Sequence, residues 1–318
     1  MPRTRAALAV VLTLLMVFSL STPAATAATV APGDILVADF DGGTIRHYSP
    51  SGADLGVFAS GLRSPSYITA DRNGNIYVSE HFGARLDKFS PSGAILLTIA
   101  TPYEPGGVQV ASDGTIYVGD YGGGNVYRYS ASGTDLGLFV SLGLARADFL
   151  AFDGSGNLYV TDFVFGVVRR ISPTGVDLGD FVTGFPGPEG IAFDAGGNLY
   201  VSSFNMNFIE VYSASGADLG TFASISPGGA AYGLAFDGPG NLYVANYLEG
   251  NIHRFSPSGT DLGIIASSGL VGPRDLVVVP LGGPTTNDEC QNGVWKSFEF
   301  PRIFKNQGDC IQFVNTGK

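Results

Sequence analysis

Charged side chains are scarce in this sequence. Asp, Glu, Lys and Arg make up 14% of the 318 residues, well below the quarter usual in soluble domains. Helices on a protein surface need a solvated polar face, so this balance argues for short strands and tight turns instead. Lysine is rarer still: the chain has four, against 28 acidic residues. So acidic a chain is a poor fit to nucleic acid or to an anionic membrane. Cysteine occurs only at Cys290 and Cys310, with no His nearby, and two thiolates are too few ligands for zinc. Neither a Gly-x-Ser-x-Gly elbow, nor a phosphate-binding loop, nor a dinucleotide fingerprint is present.

What the chain does have is glycine, 46 residues of it, and a 45% hydrophobic fraction large enough for a sizeable core. Residues 1–27 read as a signal peptide. Arg3 and Arg5 precede the apolar run Ala6–Leu20, Pro23 breaks it, and Ala25-Thr26-Ala27 offers a small-x-small cleavage site. The run is shorter than the roughly 20 residues of a spanning helix, and no later segment is apolar enough to span. Export is therefore expected. Cleavage after Ala27 would leave 15 basic residues against 28 acids, a net charge of −13. In an exported chain Cys290 and Cys310 most simply pair, stapling a loop of about 21 residues worth roughly 3 kcal/mol.

A repeat dominates the rest. Gly-Asn-Leu-Tyr-Val begins at Gly156, Gly197 and Gly240, with variants at Asn75 and Thr115. The matching apolar position runs Ile35, Ile76, Ile116, Leu158, Leu199 and Leu242, at spacings of 40 to 43 residues. Ser-Pro-x-Gly or Ser-Ala-x-Gly follows in every copy. Asp-Leu-Gly comes next in all but the second, which reads Ile95-Leu96-Leu97. Each unit reads as four strands, which in the fourth copy are placed at Gly190–Asp194, Asn157–Thr161, Val167–Ser172 and Leu178–Thr183. Four strands per unit of this length make a blade of a β-propeller. Six copies predict an all-β, six-bladed propeller over residues 34–280, after a short lead at 28–33. The first copy lacks its innermost strand, and Asp275–Val279 is the spare. The expected closure is three N-terminal strands plus one C-terminal strand. Residues 281–318 form a separate, disulfide-stapled tail.

The run Gly187-Pro-Glu-Gly-Ile-Ala-Phe-Asp194, followed by Gly-Asn-Leu-Tyr-Val, resembles NHL-type repeats and the blades of the gluconolactonase and senescence-marker family. Lys305–Cys310 resembles a short cysteine-paired tail found on some exported bacterial proteins. The family resemblance implies a divalent metal in the channel and lactone hydrolysis. Of the expected inner-strand ligands, Asp148 and Glu189 match in type. Ser66, Gly107 and Tyr232 do not, and Arg274 puts a cation where a metal should be.

Two rings should face the channel mouth. One is Ser66, Gly107, Asp148, Glu189, Tyr232 and Arg274 on the inner strands; the other is Asp39, Glu80, Asp120, Asp162, Ser203 and Asn246 at the ends of the second strands. Carboxylates converging on a funnel suit a hard cation such as calcium. Asp148 and Glu189 could instead form an acid–base pair, or one of them an ion pair with Arg274, which is the favoured reading. Aromatic residues follow the second ring: Phe40, Phe82, Tyr121, Phe163, Phe204 and Tyr247. Most are expected to wedge between blades, with Tyr121 and Tyr247 at the surface. His47 and His253 are expected to be exposed on third strands, leaving His81 alone at the mouth.

The turn Asp71-Arg72-Asn73-Gly74-Asn75 has alternating oxygens but no closing Glu, so it reads as a turn rather than a calcium loop. The expected function is binding of an extracellular protein or glycan by a monomer. The mouth residues named for it are Asp120, Tyr121, Asp148, Asp162, Glu189, Tyr232, Tyr247 and Arg274. The alternative is a calcium-dependent lactonase with Asp148 and Glu189 as metal ligands.

Overall fold

The computed structural model describes residues 28–225 and 228–280. Its strands make six antiparallel sheets of four. Blade 1 pairs Ile35–Asp39, Thr44–Tyr48 and Asp54–Ser60 with an inner strand from the other end of the chain, Pro273–Val278. Residue 35 faces residue 278 across that seam. Blades 2 to 6 follow in order, with inner strands Pro65–Ala70, Pro105–Val110, Leu150–Phe152, Pro188–Phe193 and Ala231–Phe236. The fold is the expected six-bladed propeller, closed as expected. One strand placement is corrected: Gly190–Asp194 lies at the inner strand of blade 5, and the fourth sheet uses Leu150–Phe152. An inner strand precedes the rest of its blade in the chain and does not follow it. Among the described residues no helix is long and apolar enough to cross a membrane. The signal peptide expected at residues 1–27 and the expected pairing of Cys290 with Cys310 lie outside the described residues.

The repeat's apolar position opens every second strand, and all six such residues are at most 1% exposed. A residue there has neighbours on both faces, because each sheet packs against the next around the ring.

The polar repeat elements build turns. Asp71 Oδ1 accepts the N–H groups of Asn73 and Asn75, and its Oδ2 accepts the Asn75 amide and the Tyr77 hydroxyl. Asp153 holds Asn157 and Tyr159 in the same way. The carboxylate oxygens of this turn are thus spent locally, as a turn requires. In Ser-Pro-x-Gly the Ser hydroxyl accepts the N–H four residues on, at 3.0–3.1 Å. Its glycine meets the preceding blade: a Cβ on Gly175, at φ +85°, would stand 3.0 Å from the Phe139 carbonyl oxygen. The motif therefore seats one blade on the last.

Asp-Leu-Gly makes a bulge in the outer strand. Asp54, Asp135, Asp177, Asp218 and Asp261 each accept the N–H of the glycine two residues on, at 2.7–2.9 Å. Those glycines have φ between +80° and +102°, a conformation other residues resist.

Candidate functional site

Inner strands begin where second strands end, so both rings meet at one end of the channel. Arg274 occupies that mouth and is 7% exposed. Its guanidinium carbon stands 5.1 Å from the ring centres of Phe40 and Tyr232, 5.2 Å from Tyr67 and 5.8 Å from Tyr121. A cation surrounded by four aromatic faces gains from each ring quadrupole and is shielded from water.

Asp148 and Glu189 lie on the same side of the channel floor, 0% and 3% exposed. No direct ion pair joins either to Arg274 among the described residues, so the expected pairing is corrected. The Tyr67 hydroxyl mediates it, accepting from Arg274 Nη2 at 3.3 Å and donating to Asp148 Oδ1 at 3.3 Å. The Phe163 N–H reaches Asp148 Oδ2 at 3.3 Å. Among the buried polar atoms without partners in the described residues are Glu189 Oε2 and Arg274 Nε.

Burial dominates the acid–base character of this floor. It raises Asp148 to about 6, against the lowering pull of Arg274, the Phe163 N–H, Arg146 and Tyr67. Burial and then the Asp148 charge push Glu189 well above the usual carboxylate range, while Arg274 and the Tyr232 hydroxyl work the other way. The Asp148 charge acts on Glu189, so the two carboxylates titrate as a linked pair. His81, 5% exposed, is lowered to about 4 by burial and then by the Arg274 charge. It is a neutral ring at the mouth, edge-on to Tyr121 at 4.5 Å.

The second ring does different work from that expected of it. Asp39 accepts the Gly272 N–H at 2.7 Å, Glu80 the Arg63 N–H at 2.6 Å and Asp162 the Ala145 N–H at 2.6 Å. Asp120 accepts the Gly123 N–H at 2.9 Å, and Asn246 Oδ1 the Ala230 N–H at 3.0 Å. Ser203 donates to the Pro186 carbonyl at 2.6 Å. These side chains pin the loops that enter the inner strands or the turns that leave the second strands. They do not converge on a cation.

The aromatic residues bridge neighbouring blades around the mouth, where Phe204 packs against the core and Phe82 is 59% exposed. Phe82 contacts Phe40 at 6.0 Å and His81 at 4.7 Å. Phe163 meets Phe204 at 6.1 Å, and Phe204 meets Tyr232 at 5.5 Å. Arg146 closes the circuit, 4.6 Å from the Tyr121 ring and 5.8 Å from Phe163. Tyr247 leans on Tyr232 at 5.7 Å and donates its hydroxyl to Asp41 at 2.9 Å. Phe82 together with Val164, Phe165, Met206, Leu248 and Val271 forms an apolar rim, 54–64% exposed.

Tyr67 and Arg146 join the site without a signal in the sequence. Each sits within two residues of a mouth position, but no other blade repeats them. His47 and His253 are buried, not exposed: His47 Nε2 is 2.7 Å from Asp34 Oδ2, and His253 is 6% exposed.

A calcium ion, the cation expected from the acidic funnel, needs six to eight oxygen ligands. The floor supplies two carboxylates with a guanidinium among them. Among the described residues no cluster of three or more His, Cys, Asp or Glu could hold a metal. The residues present do not fit the ion.

No family model matches the chain, and no curated protein does. Solved structures do resemble it. A chain of the nidogen–laminin complex superposes with a TM-score of 0.69 at 16% identity, over 78% of this chain and 98% of that one. A protein provisionally assigned as a gluconolactonase gives 0.60 at 20%, over 67% and 81%. The calcium-binding protein regucalcin from Agrobacterium tumefaciens gives 0.60 at 15%, over 70% and 80%. The class is thus a six-bladed β-propeller with the fold of NHL and gluconolactonase-like proteins. At these identities the likeness establishes fold alone.

Proposed function

We propose that this chain is an exported binding module that recognises an extracellular protein through its channel mouth. The observation that carries the reading is the exposed apolar rim, Phe82, Val164, Phe165, Met206, Leu248 and Val271, gathered around a buried arginine on one face. Aromatic residues, Met and Arg are the types enriched at protein interfaces, and concentrated apolar surface on one face marks such a site. A glycan would ask for more free hydroxyls and amides than this rim offers. Tyr121, Asp148, Glu189, Tyr232, Tyr247 and Arg274 form the floor and wall of the site. Asp120 and Asp162 hold the loops that present it. The likeness to a chain of the nidogen–laminin complex supports the same reading.

The rival reading, a calcium-dependent lactone hydrolase with Asp148 and Glu189 as ligands, draws on the likeness to the gluconolactonase and regucalcin structures. Arg274 stands against it. A calorimetric calcium titration of the chelator-stripped protein separates the two. Absence of a tight site is expected. One tight site, lost in Glu189→Gln, would overturn the binding-module reading and justify a lactone screen. In parallel, capture of any extracellular protein should be lost in the variant carrying Phe165→Asp, Met206→Asp and Leu248→Asp.

A further inference from the structure

Six outer strands ring the propeller, and each presents one row of unpaired backbone groups to solvent. A free edge invites pairing with another chain, and proteins blunt it with bulges and charge. Five of the six edges carry both devices here. Each opens on Asp and bulges at a positive-φ glycine held by that Asp, and its pairing with the third strand slips twice.

The outer strand of blade 2 has neither the Asp nor the glycine. It reads Ile95-Leu96-Leu97-Thr98-Ile99-Ala100, with no charged side chain. Its pairing with Arg85–Phe89 slips once, between Lys88 and Phe89. The inward residue that four other outer strands fill with Phe, as Phe139 does against Tyr117, and blade 6 with Ile265, has no counterpart in it. The missing bulge residue, seen in the pairing of Leu86 with Ile99 where blade 1 pairs Ile45 with Ala59, accounts for the 40-residue spacing from Ile76 to Ile116. Ile95 and Leu96 are 62% and 54% exposed. The strand is held from inside: the Thr98 hydroxyl donates to Asp87 at 2.5 Å, and a Cβ on Gly133 of blade 3 would lie 2.9 Å from Leu97 Cδ1.

We propose that this strand is a self-association edge, at which two copies of the chain pair antiparallel about a two-fold axis. The two blades then form one eight-stranded sheet. The absence of charge selects this edge for a second copy, because the same two-fold pairing at each of the other five outer strands would bring Asp toward Asp. The chain is strongly acidic, and pairing at any other outer strand brings its Asp to the interface. Here the facing strands are uncharged, aliphatic and self-complementary. A two-fold pairing also uses up the edge it needs, so assembly stops at a dimer. This departs from the monomer expected of the sequence.

Sedimentation velocity over a concentration series tests it, with the variant carrying Ile95→Asp and Leu96→Lys and a control carrying Leu136→Lys and Leu138→Lys on the blade 3 edge. The expected result is a species of twice the chain mass in the parent and the control, and a monomer in the blade 2 variant. Hydrogen exchange of the unmodified protein gives a second readout, with backbone amides of 95–100 slowing as the dimer forms. A parent that stays monomeric throughout overturns the proposal. So does a dimer that persists in the blade 2 variant, or one whose amides at 95–100 exchange as fast as in the monomer.

Discussion

Arg274 and Asp148 are joined without touching. The Tyr67 hydroxyl stands 3.3 Å from each, accepting from the guanidinium and donating to the carboxylate. A buried cation and a buried acid are thus coupled through a neutral group, which settles how the mouth responds to substitution and to pH.

Tyr67→Phe removes that group and little volume. Asp148 loses a hydrogen bond that favours its charged form, so its pKa should climb above the present value of about 6. Both hydrogen bonds of the hydroxyl are lost, which should cost about 1–3 kcal/mol in denaturant unfolding. A carbon-detected carboxyl titration reads the first effect. An unchanged Asp148 midpoint would show that Tyr67 only packs.

Asp275 makes the protein less stable as pH rises. It is buried, accepts the N–H groups of Ile68 and Leu276, and burial raises it to about 8. Between its ordinary value near 3.8 and about 8 the folded chain holds a proton that the unfolded chain has released. Stability from this group is present at low pH and is lost as pH rises through that window, by up to about 1.4 kcal/mol per pH unit for one proton. Asp148 adds the same sign up to about 6. Asp275→Asn should flatten the slope of unfolding free energy between about pH 5 and 8 by roughly one proton's worth. An unaltered slope in that variant would place the proton elsewhere.

Two glycines separate backbone strain from crowding. Gly137 has φ +80°, and a Cβ added there would meet nothing within 4 Å, whereas Gly175 at φ +85° faces the Phe139 carbonyl and ring. Gly137→Ala should cost roughly 1–2 kcal/mol, the ordinary penalty for a left-handed residue. Gly175→Ala should cost more, because it also pushes blade 4 off blade 3. Thermal unfolding of the pair decides this, and equal losses would mean that the blade contact yields freely.

The architecture was legible because it is written six times. A residue buried on both faces must be apolar in every copy, and Ile35 through Leu242 report that without ambiguity. The mouth is written once. Spacing places Asp162 at the end of its strand, but it does not say which way the carboxylate turns, and the Ala145 N–H claims it. Tyr67 has no counterpart in the other inner strands, so no repeat draws attention to it. His47 looks exposed by position, yet Asp34, in the stretch leading into blade 1, folds over it. Sequence periodicity reports packing that recurs; it is silent where six blades each do something different.

The seam in blade 1 has a consequence for how the molecule comes into being. Ile35 waits for Val278, so the first blade begun is the last completed, and no shorter arc of the chain has all its inner strands. Contacts between the two ends of a chain this long are slow to form. Until that last strand arrives the ring is open, with the inner edge of blade 1 bare, so closure of the ring is the step that waits for the end of the chain. Shortening the chain by the few residues of Pro273–Val278 would then undo the beginning of the fold as well as its end.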